Sequence, residues 1–220
     1  MKKSELYFLL LFLLPLAPVA DPAIKYSYDE IASSIFWNVL YNEGGWTLYC
    51  GHQFNRPDLS VDGKTLAIEH IYPTSRMIKS LKCTSRIQCK NNNRLFSEME
   101  ADLHNLYPVL LELSNDFYDS DFGEIEGEDW RVDNCDFERK DGILEPRPLA
   151  RGNIARAIFY MHTRYKLPIS KNVLGTLKKW NHEDPPSRQE QIRNSKIELI
   201  QGNRNPYIDK PALAEQLKVK

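Results

Sequence analysis

The chain has 220 residues with a formal net charge of −1, and 42% of it is hydrophobic. Past the first twenty residues no stretch is long and apolar enough to cross a bilayer as a helix, and the length suits one domain with a substantial core. The near-neutral balance hides an asymmetry: residues 21–146 carry 12 basic and 23 acidic side chains, residues 147–220 carry 15 and 6. A protein that handles a polyanion needs a basic face rather than a basic total, and the C-terminal third is able to supply one. The plainer reading is that the two parts attract each other in the fold.

Met1-Lys2-Lys3 gives a positive start, Leu6–Leu16 a nearly continuous apolar run, and Ala17 and Ala20 small residues. This is the pattern of a secretory signal over 1–20, too short and too soon ended for a membrane span, although Pro18 is a poor residue so near a cleavage point. Residues 21–220 are then expected to form a single exported domain, secreted or periplasmic, monomeric and without stable membrane association. Ser27-Tyr-Asp-Glu30 reads as a capping box, followed at helical spacing by Ile31, Ile35, Val39 and Leu40. Gly44-Gly45 ends that helix, and Trp46–Cys50 and Lys64–Tyr72 read as strands.

Between Pro73 and Ser97 the chain carries Arg76, Lys79, Lys82, Arg86, Lys90 and Arg94 and no acid. Such a run serves equally as a solvated face or as a set of phosphate contacts. Gly123–Glu145 is acidic, irregular and β-rich. Asn153 is expected to cap a helix that carries Ile154, Ile158, Met161 and Tyr165 inward. Ser170 caps a second helix, and Ser187-Arg-Gln-Glu190 opens a third that stops at Gly202. Pro206 and Pro211 mark an extended tail. Helices at both ends with a small β region between them make an α+β fold.

Four cysteines, Cys50, Cys83, Cys89 and Cys135, suit two disulfides in an exported protein, with three pairings open. Cys83 and Cys89 bracket a short loop, and pairing them leaves Cys50 with Cys135. No pair has the tight spacing of a zinc site.

The chemistry centres on Glu69-His70, at the end of the apolar run Leu66–Pro73. Hydrolysis of a phosphodiester needs a base for the attacking water, neutralisation of the phosphoryl charge, and stabilisation of the leaving oxygen. A neutral imidazole suits the first task, and an oxygen-loving divalent cation the other two. His70 is therefore the candidate general base and Glu69 the candidate metal ligand. Neighbouring side chains on a regular strand point to opposite faces, so the pair can share one phosphate only where the strand twists, bulges or ends, and Pro73 makes an ending reasonable.

Three segments together, Leu66–Pro73 (Leu-Ala-Ile-Glu-His-Ile-Tyr-Pro), Met99–Pro108 (Met-Glu-Ala-Asp-Leu-His-Asn-Leu-Tyr-Pro) and Gln201–Asp209 (Gln-Gly-Asn-Arg-Asn-Pro-Tyr-Ile-Asp), resemble the endonuclease I family. These are secreted bacterial nucleases of the ββα-metal, or His-Me finger, class. Arg151–Tyr165 is similar to the same family, and the resemblance runs from about Tyr28 to about Pro211. It implies a mixed helical domain around a small ββα-metal core. It also implies magnesium (manganese as the alternative) as cofactor, DNA as partner with RNA as a second substrate, and 5′-phosphate ends. The family's roles fall on His70 as base, Glu69 as metal ligand and Glu100 as a further catalytic residue. Asp102, His104 and Asn105 cluster with Glu100; His104 and Asn105 read as buttresses, with His104 as a second base the alternative. Arg86, Arg94 and Arg156 read as substrate contacts, with a salt bridge to the acidic central region the equal alternative for Arg156. The chain departs from the family where an Asn-Gly-Asp-Arg-Ser-like segment is expected, its Asn completing the metal site. Here that Asn falls on Ser114, with Asn115 next, and the usual Arg falls on Phe117. Either Ser114 or Asn115 completes the site, or the chain is a weak nucleic-acid-binding homologue that retains the fold. His52 stands where many relatives have a second cysteine, which implies one bridge fewer.

Overall fold

The computed structural model describes residues 24–56, 58–114, 120–130 and 132–219. The signal segment and Asn115 lie outside the described residues. The Ser27 box forms as the sequence dictates: Ser27 Oγ accepts from Glu30 N, and Glu30 Oε2 accepts from Ser27 N. It opens α1 (Tyr28–Glu30), which continues as a wider π-helix, Ile31–Leu40, closed by a bond from Tyr41 N to Phe36 O. The extra residue per turn moves the inward stripe off the expected α spacing. Ile31, Phe36, Trp37 and Leu40 are buried, while Val39 is exposed.

β1 (Gly45–Trp46) pairs antiparallel with β2 (Gln53–Phe54). The strand expected over Trp46–Cys50 is mostly a tight turn, in which Thr47 O accepts from Gly51 N and Thr47 Oγ1 from His52 N. β3 (Ser60–Val61), β4 (Lys64–His70) and β5 (Leu106–Leu110) form an antiparallel sheet in that order. Asp62 and Gly63, both at positive φ, make the two-residue turn between β3 and β4. The β4–β5 connection holds α2 (Thr74–Ser80), α3 (Arg86–Asn92), α4 (Arg94–Ala101) and a 3₁₀ turn, Leu103–Asn105. α5 (Leu111–Ser114) follows β5 and packs back on both strands. β6 (Asp121–Phe122), β7 (Phe137–Lys140) and β8 (Ile143–Pro146) form a second three-stranded sheet, ordered β6-β8-β7.

The C-terminal third is helical: α6 (Pro148–Tyr165), α7 (Lys171–Glu183), α8 (Arg188–Gln201), α9 (Pro206–Asp209) and a 3₁₀ segment, Pro211–Gln216. Ser170 and Ser187 cap α7 and α8 as expected, and Gly202 closes α8 in the left-handed conformation. Two expectations fail at prolines. α6 begins at Pro148, not after Asn153, because a proline in the first turn gives up an amide that has no partner there anyway. The tail is helical rather than extended for the same reason, with Asn205 Oδ1 capping Tyr207 N ahead of Pro206. α6 is the central helix: Ile154, Ala155, Ala157, Phe159 and Met161 are fully enclosed. The architecture is α+β.

Both expected bridges form, Cys50–Cys135 across 85 residues and Cys83–Cys89 across six. Loop-closure entropy assigns about 4–5 kcal/mol to the longer loop and about 2 kcal/mol to the shorter. Replacing Cys50 and Cys135 by serine is therefore expected to lower the urea unfolding midpoint roughly twice as far as replacing Cys83 and Cys89. Equal shifts would show that chain entropy is not how these bridges stabilise the fold.

Candidate active site

Glu69 and His70 end β4, where they pair in register with Tyr107 and Leu106 of β5. The strand stops there, and both side chains line one polar cavity of about 170 Å³, together with Tyr28, Ser75, Arg86 and Ser114. The alternation of a regular strand is resolved at its end: Glu69 Oε1 folds back to accept from the His70 amide at 3.2 Å. A larger cavity of about 670 Å³, walled by Trp46, Leu149, Ile192 and Arg193, includes neither Glu69 nor His70. Chemistry, not volume, marks the smaller one.

His70 is enclosed, and its Nε2 lies 2.8 Å from the Glu100 carbonyl oxygen. A carbonyl only accepts, so Nε2 carries the proton and Nδ1 keeps the lone pair in the neutral ring. Burial pushes the imidazole down to about 4, helped by the nearby Arg86 charge and opposed by the Glu100 contact. The ring is therefore neutral near pH 7, the state a general base needs. Burial pushes the Glu69 carboxyl up to about 8, with the His70 amide as the opposing influence. Among the described residues no salt bridge reaches Glu69, and a divalent ion beside it would favour its charged form. Ser75 Oγ, in the same wall, is buried without a hydrogen-bond partner among the described residues, and Ser114 Oγ donates to Leu111 O at 2.9 Å, a bond that uses its proton rather than its lone pairs. Glu69, Ser75 and Ser114 make an all-oxygen donor set, which suits magnesium or manganese. Among the described residues no three His, Cys, Asp or Glu side chains gather as a metal cluster. A hard cation here would rest on one carboxylate, neutral oxygens and water.

The other expected site residues divide. Arg86 lines the cavity and gives its Nε to Glu100 Oε1 at 2.5 Å. Glu100 itself stands behind the cavity wall, 1% exposed, so its carboxylate holds Arg86 and its carbonyl holds His70. Arg94 is not brought to the cavity: it lies exposed at the start of α4, paired with Glu98. Arg156 corrects the expected phosphate contact outright. It is 0% exposed and forked onto Glu190, with Nη1 on Asp184 O. No phosphate reaches a guanidinium sealed in this way, and its partner belongs to α8 rather than to the acidic central region.

The Met99–Pro108 and Gln201–Asp209 motifs prove to be one scaffold. Asp102 is buried and accepts from the Tyr160 and Tyr165 hydroxyls, Gln201 Nε2 and the His104 amide. Gln201 Oε1 accepts from Leu103 N, and His104 Nε2 meets Asn203 O. Asn105 grips Tyr72 by both backbone groups, Oδ1 to Tyr72 N at 2.6 Å and Nδ2 to Tyr72 O at 3.0 Å. That grip fixes the chain two residues past His70, the buttressing expected of this segment. Tyr28, in contact with His70, went unread in the sequence because an aromatic inside a capping box looks like ordinary core.

A sequence model of the endonuclease I family matches residues 27–212. An extracellular deoxyribonuclease of Aeromonas hydrophila is 29% identical over 195 residues, spanning 79% of this chain and 86% of the relative. A periplasmic deoxyribonuclease of the same organism is 32% identical over 148 residues, 64% of this chain and 62% of the relative. An extracellular ribonuclease of Bacillus amyloliquefaciens is 31% identical over 135 residues, 53% of this chain and 46% of the relative.

Proposed function

We propose, because the chain belongs to the endonuclease I family, that it is an exported, metal-dependent, sequence-nonspecific endonuclease that hydrolyses DNA, and RNA as a second substrate, leaving 5′-phosphate ends. Its relatives act outside the cytoplasm, as extracellular or periplasmic nucleases, and among the described residues no helix is long and apolar enough to span a membrane. The observation that carries the proposal is the shared cavity of Glu69, His70, Arg86 and Ser114 at the end of β4. We read the cavity as a ββα-metal centre, a reading supported by the packing of α5 on β4 and β5.

His70 takes the proton from the attacking water at Nδ1, its tautomer held by the Nε2–H bond to Glu100 O. Arg86 binds the phosphate beside it and orients the diester for in-line attack. Glu69, with Ser114 or Asn115, would hold the cation. A magnesium ion bound there supplies charge neutralisation for the phosphoryl oxygens and the leaving 3′ oxygen. Glu100 acts through Arg86 and His70 rather than on the diester. Phosphate contacts carry no sequence information, so cleavage by this site is nonspecific.

Metal binding gives a test free of turnover. Loss of even an outer partner of a ligand weakens a metal site by about 10–100-fold. Glu69→Gln is expected to weaken Mn²⁺ binding, followed by calorimetry, by about 100-fold relative to the native chain. Equal affinity in the two proteins would remove Glu69 from the metal site.

A further inference from the structure

Arg86 faces the cavity on a long side chain that is 49% exposed. Its contact with Glu100 uses Nε, a single pivot about which a planar fork can still swing. Three features restrict that swing. The Cys83–Cys89 bridge encloses Arg86 in a six-residue span. The ring of Tyr28 lies under the guanidinium, with the Arg86 Cζ 5.1 Å from its centroid. The Tyr28 hydroxyl stands close enough to the same guanidinium for the two groups to act on each other's charge.

Tyr28 is itself placed with care. The Ser27–Glu30 capping box sets the backbone it stands on, and the neighbouring Asp29 pairs with Lys90 at 2.6 Å, tying α1 to the helix that carries Arg86. Its ring also sits 5.1 Å from the His70 ring, tilted by 32°. Tyr28 packs against the core on one side and lines the polar cavity on the other, which a tyrosine used only for packing need not do. We propose that Tyr28 is a positioning residue for Arg86, which it holds at the cavity wall beside His70 with the Nη groups left as donors for an entering phosphodiester. The proposal rests on the nuclease reading for the identity of that ligand. Its physical content is preorganisation: an arginine ordered before the substrate arrives loses less rotamer freedom when it binds.

The test is a double-mutant cycle on binding of a short DNA duplex in EDTA, where nothing is cut. With Arg86 present, Tyr28→Leu is expected to weaken binding about tenfold and Tyr28→Phe about threefold, the range of a partly desolvated cation–π contact to which the ring contributes most and the hydroxyl dipole the rest. In the Arg86→Ala background neither change weakens it further. In turnover with magnesium, Tyr28→Leu raises KM by more than it lowers kcat. Equal losses in both backgrounds, or no loss in either, would overturn the proposal. Should Tyr28→Leu fail to fold, Tyr28→Phe, which keeps the ring, decides the cycle alone. Exchange of the Arg86 Nε proton, followed by NMR, reads the same geometry with no nucleic acid present. It is expected to be about tenfold faster in Tyr28→Leu and faster than native in Tyr28→Phe. If the native chain neither binds nor nicks DNA, the nuclease reading fails, and this exchange rate still decides the role of Tyr28: identical rates in all three proteins overturn it.

Discussion

Replacing His70 with alanine is expected to slow plasmid nicking by about 10²–10⁴-fold, the contribution of a well-placed general base. The loss should fall in kcat. Glu69 and Arg86 stay in the cavity wall, so binding of Mn²⁺ and of DNA should remain near the native values. The substitution leaves the Glu100 carbonyl without the partner it has at 2.8 Å. An orphaned buried acceptor costs about 1–3 kcal/mol, so rates must be compared per folded molecule. Added imidazole, small enough to enter the space the ring vacates, is expected to restore part of the rate. A loss of less than about tenfold would place the base elsewhere and leave His70 a structural residue.

The second large effect is on stability. Arg156 and Glu190 are both fully enclosed, and the guanidinium donates to both carboxylate oxygens, at 2.8 and 2.5 Å. Its third nitrogen reaches Asp184 O at 2.7 Å, and its own carbonyl accepts from Asn205 Nδ2 at 3.0 Å. The side chain thus joins α6, the end of α7 and α8, and the backbone carbonyl of the same residue ties in the turn that starts α9. Arg156→Ala strands a buried carboxylate and is expected to cost about 3–5 kcal/mol, a large share of a domain's usual 5–15 kcal/mol. Arg156→Met with Glu190→Leu removes both charges and should recover most of that loss. Urea denaturation of the single and double variants checks this. The folded fraction of Arg156→Ala should bind DNA as the native chain does, and a selective loss of DNA affinity at unchanged stability would return Arg156 to the phosphate-binding set.

The pair Glu69-His70 was legible because carboxylate and imidazole stand side by side at the end of an apolar run that Pro73 stops. The two motifs around Asp102 and Asn203 were legible as a constellation, but their mutual contacts were not, since Gln201 and Leu103 meet across 98 residues of chain. Arg156 stayed open between a phosphate contact and a salt bridge because a lone arginine on an apolar helix carries no sign of its partner, and the structure decides for the salt bridge, to Glu190. The burial of Arg156 depends on α8 closing over it. Trp46–Cys50 misled: an apolar run that looks like a strand is held as a turn by Thr47 and by the Cys50–Cys135 bridge. The charge asymmetry is partly consumed inside the fold. Arg151 and Lys179 from the basic third pair with Glu145 and Glu124 of the acidic stretch. Attraction between the two parts of the chain is therefore real, and it draws on the cations that a basic face would need.

Supercoiled-plasmid nicking by the oxidised chain without residues 1–20, in magnesium, manganese and EDTA, tests the central claim most directly. The account predicts conversion to open circles in either metal, none in EDTA, and none with His70→Ala, whose fold is checked by circular dichroism. A native chain that binds the plasmid yet cuts no faster than His70→Ala in either metal would contradict it and leave a fold-retaining DNA-binding protein.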